Sequence, residues 1–369
     1  MPPAGKPEHG TGSSIRVLIA GGGTGGHVVP ALAIARELRD THGAEVRLLG
    51  TSRGIEMRLV PAAGFPLDLV SVGQLANVSF MTRVKTATGL PIAVQQCLRL
   101  LWRFRPHAVV GVGGYASGPA MLAALLLRVP TMVYEPNAIP GMVNRRIGRF
   151  VRTAAIAFEE TLPYFRNAVV TGVPVRSEIV AAGPLQVDPP RLLITAGSNG
   201  ARVFNETLPM IAGALLAAVP GLTVVHQTGE RAFAATADAY RKHGIAENRV
   251  SVCAFLDDMP AQLDRATLVL ARSGSTVAEL AAAGRPSLLV PFPRAADDHQ
   301  TKNALAMVRS GAAQMMPEAE LTPETLLQAL VTSLRSPDLL RGMSANARAR
   351  SRPDALHQIA DLVVSLAAR

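Results

Sequence analysis

Residues 15–39 read IRVLIAGGGTGGHVVPALAIARELR. A short apolar run, Ile15 to Ala20, passes into the turn GGGTGGH and then into small and apolar residues at helical spacing. The spacing predicts a strand, a glycine turn and a helix from Pro30 to about Arg39. The same unit recurs three times. HAVVGV leads into Gly113-Gly114-Tyr115-Ala116-Ser117-Gly118 and a helix opened by Pro119. RLLITA, Arg191 to Ala196, leads into Gly197-Ser198-Asn199-Gly200-Ala201. TLVLA leads into Arg272-Ser273-Gly274-Ser275-Thr276 and a helix through Glu279. Apolar runs alternating with helical patterns indicate an α/β fold with parallel sheets covered on both faces. The turns fall at the carboxyl ends of strands, where open sheets bind ligands. There, helix N-termini offer outward N–H groups and partial positive charge, and glycine lets a phosphate approach the backbone.

The 369 residues suit two domains rather than one core. Thr171-Gly172-Val173-Pro174-Val175-Arg176, Ala181-Ala182-Gly183-Pro184 and Pro189-Pro190 read as linker, after which the pattern restarts at Arg191. The reading is a loose tail over 1–14, a first domain over 15–174 and a second over 175–352. The last stretch, 353–369, carries helical apolar spacing (Ala355, Leu356, Ile359, Ala360, Leu362, Val363) that can pack back on a domain.

Composition narrows the chemistry. With 49% hydrophobic and 17% charged residues the chain is globular, and 37 Lys+Arg against 27 Asp+Glu give a net charge of +10 that attracts anions. Nucleic acid is disfavoured, because aromatic residues are only 4% and do not interleave with cations. Cys97 and Cys253 lie far apart without ligand spacing, so neither a disulfide framework nor a structural zinc site is expected, in keeping with a reducing cytoplasm. The opening residues lack a signal-peptide core, and the apolar tract Ala120 to Val133, broken by Arg128 and Pro130, is too short to span a bilayer. Between Leu75 and Arg105, apolar residues stand beside cations. Leu75, Val78, Phe80 and Met81, next to Arg83 and Lys85, suit an anionic membrane interface. The helix from about Pro91, with Val94, Leu98, Leu101 and Trp102, reads as core-facing.

Gly21, Gly23 and Gly26 formally satisfy the dinucleotide fingerprint, but the next strand ends in Thr51-Ser52-Arg53 without the ribose-binding acid. An NADP reading through Arg53 stays open; a P-loop is excluded, since no Gly-Lys-Ser/Thr follows any turn. His27, beside the turn, suits a general base, against the plainer reading of a packed helix-start residue. Glu279 suits a ribose, against a first-turn acid favoured by the dipole. Asp297, Asp298 and His299 lack a second cluster for a metal, and hydrogen bonding of sugar hydroxyls, chiefly by Gln300, is the better reading.

Taken together and in this order, GGGTGGHVVPALAIA, GVGGYASGPA, YEPNAIPGMVNR, TGVPVR, TAGSNGAR, FLDDMP, SGSTVAELAAAG and DDHQTKNA resemble the MurG family of N-acetylglucosamine transferases over nearly the whole chain. The resemblance implies a GT-B fold, two Rossmann-like domains with parallel sheets facing a central cleft, with the final helix crossing back to the first. It implies an inverting, metal-independent transfer from UDP-N-acetylglucosamine to lipid I, giving lipid II for peptidoglycan, at the cytoplasmic face of the inner membrane, without a cofactor. It also implies other cell-wall synthesis proteins as partners. In the family the glycine turn near His27 serves the acceptor diphosphate. Gly22, Gly23, Tyr115 and Ser117 fall on the acceptor side, and His27 and Glu135 are the candidate catalytic residues. Thr24, Gly25, Gly26 and Asn137 join the donor contacts. Arg176 and Ser198 match phosphate-binding positions and Leu256 the uracil site. Ser275, Thr276 and Glu279 match the ribose region, and Gln300 the reader of the sugar hydroxyls. Three positions depart from the family pattern: Pro136 stands where Gln is frequent, Val173 where Asn is usual, and Gly274-Ser275-Thr276 is one residue shorter than the commoner G-A-x-T. A UDP-sugar epimerase on the same architecture and an NADP-binding protein remain as alternatives.

Overall fold

The computed structural model describes residues 14–72 and 80–368, the side chains of 80–88 excepted. The tail over 1–13 therefore lies outside the described residues, as do Leu75, Val78 and the side chains of Phe80, Met81, Arg83 and Lys85.

Two parallel sheets carry the fold. The first joins β1 (Arg16–Gly21), β2 (Glu45–Gly50), β3 (Leu67–Leu69), β4 (Ala108–Gly113), β5 (Thr131–Glu135), β6 (Thr153–Ile156) and β7 (Ala168–Val170) in the order β3-β2-β1-β4-β5-β6-β7. The second joins β8 (Arg191–Thr195), β9 (Thr223–Gln227), β10 (Val250–Cys253), β11 (Leu268–Ala271), β12 (Ser287–Leu289) and β13 (Ala313–Met315) in the order β10-β9-β8-β11-β12-β13. In each, the chain runs outward from the first strand and then returns to that strand's other side. That reversal creates a switch point, between β1 and β4 in one sheet and between β8 and β11 in the other. All four glycine turns follow one of these four strands, so each pair of turns flanks a switch point, the place where such sheets bind ligands.

By contacts the chain forms two compact units, one of residues up to Val133 with Phe150–Arg152 and Ile359–Arg369, the other of Tyr134–Arg149 and Thr153–Gln358. Val17, Leu18, Ile19, Val109 and Val110 are buried in the first unit, as are Ile34 and Leu38 of the helix Gly25–His42. In the second, the sheet is covered on both faces: Leu192, Ile194, Phe204 and Leu330 belong to one buried cluster, Leu193, Val269, Leu280 and Met307 to another. Continuous apolar strands are the result of that double burial.

The helix after the first turn starts at Gly25, not Pro30, and runs to His42. Proline lacks an N–H and is favoured in a first turn, which drew the expected start to Pro30. Here it sits inside the helix, and the glycines and His27 form the first turn. Likewise the helix expected from about Pro91 is Phe80–Phe104. From residue 89 its described side chains are mixed: Ala93, Val94, Cys97, Leu101 and Phe104 are buried, while Ile92 and Trp102 are exposed. Among the described residues, no helix is long and apolar enough to cross a membrane.

Candidate functional site

In the first unit the glycine turns after β1 and β4 press against one another. A Cβ on Gly114 would stand 2.2 Å from the Gly22 carbonyl oxygen, and one on Gly113 would stand 2.8 Å from the His27 ring. Gly113 and Gly114 also have φ of 93° and 80°, which other residues rarely adopt. His27 is thereby seated against bare backbone, with Nδ1 3.2 Å from the Thr24 hydroxyl. Gly25 has open space where a side chain would be, and Thr24 stands at the helix start with its hydroxyl making no capping bond to a main-chain N–H. The His27 N–H already reaches the Thr24 carbonyl at 3.1 Å, but the Gly25 and Gly26 N–H groups have no earlier helical carbonyl to reach and no acidic residue occupies the turn, so it offers an anion both donors and dipole.

The first turn also rests on a residue that the sequence reading missed. Glu56, 1% exposed, accepts hydrogen bonds from the Gly23 N–H (2.8 Å), the Thr51 N–H (2.9 Å) and the Thr51 hydroxyl (2.9 Å). A Cβ at Gly22, Gly50 or Gly54 would come within 2.5 Å of it. Burial works against its charge, but the donated hydrogen bonds prevail and hold the carboxyl below its ordinary range. The sequence shows only Gly50 and Gly54 shortly before this acid, and nothing local ties it to the turn after β1. Of the acceptor-side candidates, Tyr115 is half-buried within reach of Gly23, whereas Ser117 is fully buried as the first residue of the helix Ser117–Leu126. Its hydroxyl packs under Gly111 rather than at the surface, because a helix entered straight from β4 turns that side chain toward the sheet.

In the second unit, Gly200 and Gly229 allow a close crossing of the loops after β8 and β9. A Cβ on Gly200 would stand 1.8 Å from the Thr228 carbonyl oxygen. Beyond it the helix Arg202–Ala218 begins without a side-chain cap, with Ser198 exposed in the turn before it. The turn after β11 leads into the helix Thr276–Ala283, whose first turn carries Glu279. Arg176 Nη2 lies 3.6 Å from Glu279 Oε1. Burial pushes the Glu279 carboxyl above its usual range, and Arg176 pulls against that rise. Ser275 is exposed; Thr276 and Leu256 are half-buried.

The YEPN segment belongs to this second unit. Glu135, 2% exposed, takes hydrogen bonds from the N–H groups of Asn137 (3.1 Å) and Gly141 (3.0 Å) and from the carboxamides of Asn137 (3.1 Å) and Asn144 (3.0 Å). Burial nevertheless raises its pKa against these donors. Both oxygens are engaged in folding the loop. Asn303, another residue missed from sequence, lies one helical turn beyond Gln300 and touches Ala138, Asn137 and Ser273. Gln300 Oε1 accepts the Phe292 N–H at 2.9 Å, which leaves the amide nitrogen as its free hydrogen-bonding end. Asp298 accepts from the Thr301 hydroxyl, and the His299 ring lies on the Ala296 carbonyl. Asp297 and Asp298 both have positive φ, so this loop is shaped by its own backbone.

Residues 17–156 match the glycosyltransferase family 28 N-terminal domain, and residues 191–359 the family 28 C-terminal domain. A Solibacter usitatus protein named UDP-N-acetylglucosamine--N-acetylmuramyl-(pentapeptide) pyrophosphoryl-undecaprenol N-acetylglucosamine transferase is 43% identical over 354 residues, 95% of this chain and 96% of its own. The crystal structure of Acinetobacter baumannii MurG, 33% identical, superposes with a TM-score of 0.82 over 95% of this chain and 99% of its own. The UDP-GlcNAc 2-epimerase of Neisseria meningitidis, 14% identical, superposes with a TM-score of 0.62 over 95% of this chain and 100% of its own, a likeness of fold alone.

Proposed function

The chain belongs to glycosyltransferase family 28, and we propose that it does what the names of its full-length relatives state. It transfers N-acetylglucosamine from UDP-N-acetylglucosamine to undecaprenyl-pyrophosphoryl-N-acetylmuramyl-pentapeptide (lipid I), giving lipid II, a peptidoglycan precursor. The epimerase reading loses its ground, since only fold is shared with that enzyme. The NADP reading loses its ground as well, since both halves of the chain match transferase domains.

The observation that carries the donor half is the Arg176–Glu279 pair beside the turn Gly274-Ser275-Thr276. In our reading Glu279 accepts both ribose hydroxyls, and Arg176 and the uncapped start of the helix Arg202–Ala218, with Ser198, take the diphosphate. Leu256 lies at the uracil, and Gln300 donates its amide hydrogens to the sugar hydroxyls. His27 takes the proton from the acceptor's sugar hydroxyl, which attacks the anomeric carbon from the face opposite UDP. Its ring is close to neutral pH in intrinsic basicity and sits at an anion-binding helix start. Glu135, with four hydrogen bonds already on its carboxylate, sets the YEPN loop in place of taking the proton. Thr24, Gly25 and Gly26 offer main-chain donors to a diphosphate. With the leaving charge held by main-chain dipoles and Arg176, transfer proceeds in the presence of a chelator.

A lipid-linked acceptor and a net charge of +10 support peripheral attachment to the anionic cytoplasmic face of the membrane, where other wall-building proteins work. The reading is tested by isothermal titration of UDP-N-acetylglucosamine and, separately, NADPH, both without metal. Binding of the UDP-sugar alone, followed by lipid II formation from lipid I, is the expected result; binding of NADPH alone overturns it.

A further inference from the structure

The helix His299–Arg309 carries two carboxamides one turn apart, and the second is entirely inside the protein. Asn303 is 1% exposed and meets two separate segments, around 137 and at 273. Its Oδ1 accepts the Ala138 N–H at 2.8 Å, and its Nδ2 donates to Asn137 Oδ1 at 3.2 Å and to the Ser273 carbonyl at 3.1 Å. The orientation of the amide is fixed by these partners: a main-chain N–H can face only its oxygen, and a main-chain carbonyl only its nitrogen. Nearly the whole hydrogen-bonding capacity of the side chain is used.

Consequences pass outward from it. Because Asn137 Oδ1 receives Asn303, the Asn137 amide nitrogen is turned toward Glu135 Oε1, 3.1 Å away. Ser273, whose carbonyl Asn303 holds, also donates its hydroxyl to the Gln300 carbonyl at 2.8 Å, closing a loop back onto the same helix. Ser273 directly precedes Gly274-Ser275-Thr276, and thus the start of the helix bearing Glu279. Groups around 137, 273 and 300, the first more than a hundred residues before the other two, are thereby linked through one buried carboxamide.

We propose that Asn303 is the positioning residue of the donor-sugar site: it sets the Asn137 carboxamide and, through Ser273, ties the main chain ahead of the turn after β11 to that of Gln300, without touching the sugar itself. The inference rests on reading this region as the site for the sugar of UDP-N-acetylglucosamine. A buried group of this kind acts through geometry, and a displacement of an ångström at a reacting centre costs on the order of a hundredfold in rate. Arg176, Ser198 and Glu279 make no hydrogen bond to Asn303 or Ser273, and Glu279 sits within the helix beyond the turn, so sugar recognition and turnover should suffer while UDP binding does not.

The test compares the parent protein with Asn303→Ala and Asn303→Asp. Titrations with UDP and with UDP-N-acetylglucosamine are combined with turnover on lipid I. For Asn303→Ala, UDP affinity should stay within about twofold and turnover should fall about 10- to 100-fold, with the extra affinity for the sugar nucleotide over UDP reduced. In Asn303→Asp the ionised carboxylate still accepts the Ala138 N–H but confronts two carbonyl oxygens. Protonated, it can donate to one of them. Burial raises the pKa of such a carboxyl, so its turnover relative to the parent should climb as pH falls from about 8.5 to about 6. A merely structural role gives a different pattern, with UDP and UDP-sugar affinities lost together and a ratio to the parent that is flat in pH; that pattern, or unchanged turnover in both variants, overturns the proposal. If Asn303→Ala does not fold, the pH profile of Asn303→Asp decides alone. Failure of the parent itself to bind UDP-N-acetylglucosamine removes the donor-site reading, a result distinct from a parent that binds and variants that match it.

Discussion

Arg176 and Glu279 lie 3.6 Å apart, a cation assigned to phosphate and an anion assigned to ribose neutralising each other. The pair is half in solvent, with 51% and 30% of the two side chains exposed, and such pairs contribute about 1 kcal/mol or less. A diphosphate can therefore draw Arg176 away at little cost. Glu279 pays for its burial: desolvation raises its pKa, and Arg176 only partly reverses this. For a carboxyl whose pKa is raised by folding, stability falls as pH climbs from the unfolded pKa through the folded one. Glu279→Gln should then unfold at an equal or higher temperature at neutral pH, yet bind UDP about 10- to 100-fold more weakly. Titration and thermal melts check both halves; unaltered UDP affinity rejects the ribose role. In Arg176→Ala the acid limb of UDP binding should move to higher pH, because the one group that lowers this pKa is gone.

His27 is held by the absence of a side chain at Gly113. With φ at 93° and a Cβ that would stand 2.8 Å from the ring, Gly113→Ala must displace the imidazole or the turn. It should lose about 1–3 kcal/mol of stability and most of its turnover. His27→Ala should lose turnover alone, with UDP-N-acetylglucosamine affinity nearly intact. Steady-state kinetics and titration separate the two, and normal turnover in His27→Ala takes the residue out of the mechanism.

The glycines at the second switch point answer to backbone as well. Gly200→Ala would put a methyl group 1.8 Å from the Thr228 carbonyl at a φ of 67°. The loops after β8 and β9 must part, and the start of the helix Arg202–Ala218 moves with them. UDP affinity should fall at least about tenfold even though no side chain of the nucleotide site has changed. Retained affinity would show that the diphosphate is bound elsewhere.

The strands Arg16–Gly21 and Arg191–Thr195, read from sequence as Ile15 to Ala20 and Arg191 to Ala196, were legible to within a residue because burial on both faces leaves an uninterrupted apolar run, and the turns because glycines cluster there. Helix starts were less legible. Pro30 mimics a first-turn residue, and only the packing of His27 against Gly113 shows that the helix is already under way by then. Candidates in or beside the turns could be named from local pattern. Glu56 and Asn303 could not, because their meaning lies in partners distant in sequence: Gly23 for one, Ala138 and Ser273 for the other. The same reasoning explains Ser117, whose place in the turn GGYASG gave no hint that its hydroxyl would be buried under Gly111.

Glu56 offers the most direct test of how the first turn is built. Its carboxylate is the shared acceptor for Gly23 and Thr51, and three glycines leave room for it. Glu56→Ala removes that acceptor, leaves two N–H groups unpaired in a buried place and opens a void, at a cost of about 2–4 kcal/mol. Glu56→Gln fills the space but turns a donor toward at least one of those N–H groups. It should cost less than the alanine, yet more than an exposed Glu→Gln change. The pH dependence has a definite sign. Folding depresses this carboxyl's pKa, so the stabilisation is present above the unfolded value of about 4.3 and is lost as pH falls through the lower folded value. Urea unfolding of parent and Glu56→Gln should therefore differ most near neutral pH and converge toward acid. A gap independent of pH would mean that the charge of Glu56 plays no part, and that shape alone seats the glycine turn.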